Sequence, residues 1–173
     1  MMRFPRAAAR LTCLLLAIAA PTAVVLTPTE TRAFQPDRLS DAMKQVWARN
    51  YDGARATASR AGDPVAVDIV DWHRLRAGRG DWSEYARFLT ANADWPGLEL
   101  MRRRAEGAMP GALPADQVRA FFSVQKPQTG RGAMIYAGAL GGQAGAAERA
   151  RAWTELPMSS SERASFLDRF GKE

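Results

Sequence analysis

Apolar residues recur along this chain at helical spacing, and turn residues break the pattern into short segments. Asp63-Pro64 reads as an N-cap with proline in the first turn. Val65, Ala66, Ile69, Val70, Trp72 and Leu75 then form a broad apolar stripe, and Gly78 and Gly80 close that helix. Asp81 caps a second helix that carries Trp82, Tyr85, Phe88 and Leu89 on one side. Pro96 is expected to start another, with Leu98, Met101 and Ala105. Pro110, Gly111 and Pro114 mark a turn before Val118, Phe121 and Phe122. Gly130 and Gly132 are expected to precede a helix over 133–140, and Gly141-Gly142 to separate it from one ending near Trp153. Ser159 with Glu162 makes a capping-box pattern for a last helix through Phe166, Leu167 and Phe170.

No stretch alternates β-branched residues with period two, so no sheet is expected and the fold class is all-α. The turns at Asn50-Tyr51-Asp52, Gly80-Asp81-Trp82, Gly111-Ala112-Leu113 and Gly142-Gln143-Ala144 lie 30, 31 and 31 residues apart. That period holds one antiparallel helix pair, close to tetratricopeptide-like arrays, and predicts an α-superhelix of stacked pairs. Helices of about three turns are marginal alone, so stability must come from stacking. Ala54, Ala56, Ala58, Ala137, Ala139, Ala146 and Ala150 are expected to allow close helix approach, and Trp47, Trp72, Trp82 and Trp153 to fill the wider gaps.

The N-terminus reads differently. Arg3, Arg6 and Arg10 precede a nearly uncharged run over 11–26, and Thr31-Arg32-Ala33 offers small residues for cleavage after Ala33. This predicts a secretory signal over 1–33, a mature domain over 34–173, export to the periplasm and no stable membrane insertion after cleavage. Cys13, the only cysteine, falls in the signal, which suits an oxidising compartment and excludes disulfides and thiolate metal sites from the mature domain. Removing the signal takes four arginines and Glu30 with it and lowers the net charge from +6 to +3. That composition does not require the concentrated basic face of a nucleic-acid binder.

Candidate chemistry is sparse. His73 is the only histidine, so a zinc site would need carboxylates for nearly all its ligands, and a helix-packing role with a hydrogen-bonded neighbour is expected. No serine sits in a nucleophile elbow, and Gly130-Arg131-Gly132 lacks the context of a phosphate-binding loop. Asp52, Asp63, Asp81, Asp116 and Glu162 fall at turns and caps, where helix N-termini account for them. Asp68 and Asp71 are expected to pair with basic neighbours at the surface. Arg102-Arg103-Arg104 diverge by about 100° per residue on a helix, so the three cannot all face one ligand. Arg74, Arg76, Arg79 and Arg103 remain as candidate contacts to a glycan or a neighbouring domain, with no catalytic, cofactor or metal-binding residue expected.

Three segments carry a family resemblance. The string from Trp72 to Trp82 (WHRLRAGRGDW), Asp94-Trp95-Pro96-Gly97-Leu98, and Phe121-Phe122 followed by Pro127-Gln128-Thr129-Gly130 resemble alphaproteobacterial soluble lytic murein transglycosylases. The resemblance implies a periplasmic protein with a helical N-terminal domain curled into part of a ring. It also implies a family activity that cuts glycan strands between N-acetylmuramic acid and N-acetylglucosamine, leaving a 1,6-anhydro sugar without metal or cofactor. The expected Glu-Ser pair and Gly-Leu-Met-Gln segment of the catalytic domain do not occur, and Ser161-Glu162 has the reverse order. The reading is therefore a scaffold region cut short at Glu173, inactive alone, whose partners are peptidoglycan or a missing catalytic domain. The alternative is a freestanding periplasmic helical-repeat module that binds protein or wall glycan on a concave face.

Overall fold

The computed structural model describes residues 34–171, so the expected signal over 1–33 lies outside the described residues. Those residues form α-helices joined by turns, with no strand among them. The helices are α1 (Pro36–Trp47), α2 (Tyr51–Ala58), α3 (Pro64–Arg76), α4 (Trp82–Ala91), α5 (Leu98–Ala108), α6 (Ala115–Val124), α7 (Gly130–Leu140), α8 (Gly142–Glu155) and α9 (Ser160–Phe170). The all-α class is thus what the spacing of apolar residues predicts.

Local chemistry explains most boundaries. The Asp63 carboxylate accepts from the Val65 N–H with Pro64 in the first turn. Asp81 with Glu84 and Ser159 with Glu162 form full capping boxes. Two starts differ from expectation. Pro96 belongs to the turn before α5, and Gly97, left-handed at φ 71°, is the residue that precedes the helix. Gly130 and Gly132 lie inside the first turn of α7, because the Thr129 side chain accepts from the Gly132 N–H and caps the helix three residues earlier.

Packing runs in series. The odd-numbered helices touch one another in succession from α1 to α9, and the even-numbered ones make their main contacts with them. There is accordingly a chain of small cores. Ala42, Val46, Ala54, Ala58, Ala66 and Val70 join α1 to α3. Leu75, Tyr85, Phe88, Leu89, Met101 and Ala105 join α3 to α5. Met109, Val118 and Phe122, with Ile135 and Tyr136, join α6 to α7, and Ala133, Ala152 and Phe166 join α7 to α9. The even-numbered helices begin at 51, 82, 115 and 142, at intervals of 31, 33 and 27 residues, so the four turn strings fall at or just before these starts, but α5 and α6 do not pack as a pair, α6 lying mainly against α7.

Several residues occupy other places than expected. Trp47 is 69% exposed and Trp153 also reaches solvent, so neither fills an interior gap. Ala56, Ala146 and Ala150 are exposed as well. The close approach of α8 to α7 is made at Gly145, where a Cβ would stand 2.6 Å from the Ala137 carbonyl oxygen. At α9, Phe166 is buried and Leu167 exposed. Arg149 and Arg169 lie over the Phe170 ring and Arg163 over Trp153, so guanidinium groups cover these rings on their outer side.

Candidate functional site

The turn from α3 to α4 and the start of α5 meet at the middle of the described chain. Glycine at 78 takes φ 78°, which ends α3 and turns the backbone toward Asp81. Arg74, one turn earlier, points into the angle this creates. Its guanidinium donates to Glu84 at 2.7 and 3.0 Å, to the Arg79 carbonyl at 2.7 Å, and through Nε to Asp71 at 3.2 Å. Asp71 accepts on its other side from Arg55 Nε, 3.1 Å from each carboxylate oxygen. Asp71 is only 7% exposed, so this ladder ties α2, α3 and α4 together beneath the surface. The surface pairing expected for Asp71 is thereby corrected: its partners come from two sides and bury it.

Arg76 is equally committed. It lies 4.5 Å from the Trp72 ring centroid and donates to the Gly97 carbonyl at 3.1 Å, while the Trp72 indole N–H donates to the Pro96 carbonyl at 2.9 Å. Trp72 and Arg76 therefore clamp the loop over 94–97. A side chain at Gly97 would run into the Arg76 guanidinium, which explains glycine there independently of its left-handed φ. Two of the resembling segments thus meet as parts of one joint.

His73 stands between indoles, 5.3 Å from the Trp47 ring and 4.8 Å from that of Trp72, edge to face with both. Burial and the nearby Arg76 charge lower its pKa, which favours the neutral ring at pH 7. It packs as expected, though through rings.

The third resembling segment forms a second joint. Glu106, near the end of α5, is 1% exposed. Its carboxylate accepts from the Gln128 N–H at 2.9 and 3.1 Å, the Thr129 N–H at 2.8 Å and the Thr129 hydroxyl at 2.7 Å. Burial raises its pKa, and these hydrogen bonds work against that rise. The carboxylate sits at the N-terminus of α7, where the helix dipole favours negative charge. Across the same loop Arg151, paired with Glu148 at 2.6 Å, donates to the Pro127 carbonyl at 3.1 Å. A side chain at Gly132 would collide with Glu106.

No family model matches the chain, and no curated protein or solved structure does either. The resemblance rests on the quoted sequence segments alone.

Beside the first joint lies an open cleft of about 550 Å³, lined by Gly78, Gly80, Tyr85, Leu100, Arg103, Arg104, Gly107 and Ala108. Of the four arginines singled out from sequence, Arg103 lines this cleft and Arg79 is exposed on the turn that borders it, while Arg74 and Arg76 are held in the joint. Arg103 also donates to Gln128 at 3.3 Å and lies 3.5 Å from Glu99. The arginine run does diverge, since Arg102 turns to the Phe121 ring, yet Arg103 and Arg104 share the cleft. Among the described residues no group of three or more His, Cys, Asp or Glu side chains could hold a metal ion. No helix among them is long and apolar enough to cross a membrane.

Sequence reasoning missed Glu106 and Arg104. Glu106 follows Arg102-Arg103-Arg104-Ala105 and reads as part of a solvated helix face, while its partners lie more than twenty residues away. The available clue was Thr129-Gly130 in the third segment, which marks a loop with hydrogen-bond donors to satisfy.

Proposed function

We propose that this chain is the signal-bearing start of the helical scaffold region of a periplasmic lytic transglycosylase-type protein, and that the scaffold carries no glycan-cleaving group of its own. The observation that supports the reading is the structural role of the three resembling segments. The first two lock together through Arg76, Trp72, Pro96 and Gly97, and the third is held by Glu106 and Arg151. Residues recognisable as a set thus serve as joints between neighbouring helices. This is what a repeat scaffold requires, since each unit contacts only its neighbours. On this reading the stack curves as a superhelix that presents wall polymer or a catalytic domain. The genomic frame beyond codon 173 tests it. A Glu-Ser and Gly-Leu-Met-Gln domain there, in frame or shifted, supports the scaffold reading, and unrelated sequence overturns it.

One observation favours the second reading, a freestanding binding module. An apolar groove of about 510 Å³ runs between α4, α5 and α6, lined by Trp82, Leu89, Phe121 and Val124 among others, with Arg102 at its side. Such grooves suit a partner helix or a sugar face. Unrelated sequence beyond codon 173, with retention of the chain on purified sacculi, would favour this reading over the first.

A further inference from the structure

We infer that the cleft between the α3–α4 turn and α5 is a binding site for a ligand of short-peptide size that carries carboxylates, held by Arg104 and Arg103. The inference goes beyond the scaffold reading, and only the choice of a wall-type dipeptide as probe rests on it.

The arginines around the two joints mostly have internal partners: Asp71 and Glu84 for Arg74, the Gly97 carbonyl for Arg76, and Glu148 for Arg151. Arg104 differs. It has no ion pair and no hydrogen-bond partner among the described residues, yet its guanidinium is placed against the turn. Its Nη1 lies 3.0 Å from where a Cβ on Gly78 would stand. The guanidinium thus lies directly against the Gly78 backbone, whose positive φ of 78° by itself favours glycine, and a Cβ there would make it give by a few tenths of an ångström. Arg103, from the same helix, lines the same space, and Glu99 competes for it at 3.5 Å from the outer side. No acidic residue lines the cleft, and Glu84, which approaches Gly80, is already occupied by Arg74 and the Asp81 N–H. Arg79, exposed on the bordering turn, adds a third positive charge without an acidic partner among the described residues. A guanidinium fork matches a carboxylate with two parallel hydrogen bonds, which is the chemistry an unpaired Arg104 offers. A volume of about 550 Å³ exceeds that of a single small ion and falls in the range of small-molecule sites.

The test is a nitrogen-15 NMR titration of the full chain, read at the Gly78, Gly80 and Gly107 amides. The probes are N-acetyl-L-alanyl-D-glutamate, its uncharged diamide and inorganic phosphate. The dipeptide is expected to shift these glycines saturably, with weaker binding at higher salt and about tenfold weaker binding in Arg104→Gln. Arg38→Gln, an exposed change on α1, is expected to bind as the parent does. Because Arg104 makes no ion pair or hydrogen bond among the described residues, its substitution should leave the helical circular dichroism unchanged. The inference is overturned if the glycines do not shift, if the diamide binds as tightly as the dipeptide, or if Arg104→Gln binds like the parent. Tighter binding of phosphate than of the dipeptide at the same glycines would overturn the carboxylate assignment.

Discussion

Glu106→Gln tests the joint between α5 and α7 by changing one atom. The ionised carboxylate accepts four hydrogen bonds, two from Gln128 N–H and one each from Thr129 N–H and the Thr129 hydroxyl. An amide offers a single carbonyl oxygen, and its NH2 must take the other position. Placed at Oε1, the NH2 faces the Gln128 N–H. Placed at Oε2, it faces both backbone N–H groups, and only the Thr129 hydroxyl can turn to accept. In the first placement the Gln128 N–H keeps only its longer bond, 3.1 Å to Oε2, and faces a donor, and in the second the Thr129 N–H loses its partner; in both, charge-assisted bonds become neutral ones, at a cost of about 1–3 kcal/mol. Part of that is offset, because a neutral amide avoids the desolvation that raises the Glu106 pKa. The expected net loss is about 1–2 kcal/mol, a sizeable share of a typical domain stability of about 5–15 kcal/mol. Urea unfolding at pH 7, followed by circular dichroism and tryptophan fluorescence together, measures it. Thr129→Val and the double variant complete the cycle, and a coupling above about 0.5 kcal/mol is expected because the two side chains touch. A Glu106→Gln chain within about 0.5 kcal/mol of the parent would refute the reasoning.

The other joint yields three further expectations. Gly97→Ala should cost about 1–3 kcal/mol, since it forces a Cβ into a left-handed backbone and against Arg76; an unchanged thermal midpoint would contradict this. Arg74→Met removes two of the ladder's ion pairs and leaves Asp71 with the half-exposed Arg55 alone, so about 2–4 kcal/mol should be lost in urea unfolding, below the full value for a completely buried pair. The pH dependence of stability should divide in sign. Hydrogen bonds from Arg74, against an opposing effect of burial, hold the Glu84 carboxyl below its ordinary range. Its stabilisation is therefore present above the ordinary glutamate pKa of about 4.3 and lost as pH falls through the lowered folded value. Glu106 is raised by burial, so its contribution is complete below the ordinary value and lost as pH rises through the raised one. Glu84→Gln should flatten the acid limb of stability against pH, and Glu106→Gln should remove the decline above the ordinary glutamate value. Parallel profiles for parent and variants would contradict both.

What was legible in the sequence was local. Asp63-Pro64, Asp81 with Glu84, and Ser159 with Glu162 satisfy backbone donors within one turn, so the residue types alone mark those helix starts. The four turn strings fall at or just before the starts of the even-numbered helices because the chain must turn there. What was illegible depends on partners far along the chain. Gly130 and Gly132 read as helix breakers, yet both stand inside α7, which Thr129 caps, and the approach of Glu106 keeps position 132 free of a side chain. Asp71 reads as a surface acid until Arg55 and Arg74 close over it from α2 and α3. Trp47 reads as core by type alone, and its exposure shows that type does not decide burial at the edge of an array. Among the candidate arginines the sequence could not separate Arg74 and Arg76, held in joints, from Arg103 at the cleft. That distinction lies in the path of the α3–α4 turn and the loop over 94–97.

The central claim, a wall-associated scaffold without a glycan-cleaving group of its own, is tested most directly by incubating the purified chain with peptidoglycan sacculi and analysing the soluble products by mass spectrometry. The account predicts no 1,6-anhydro muropeptides above a mock preparation. Their release by the chain, in amounts that rise with its concentration, would contradict it.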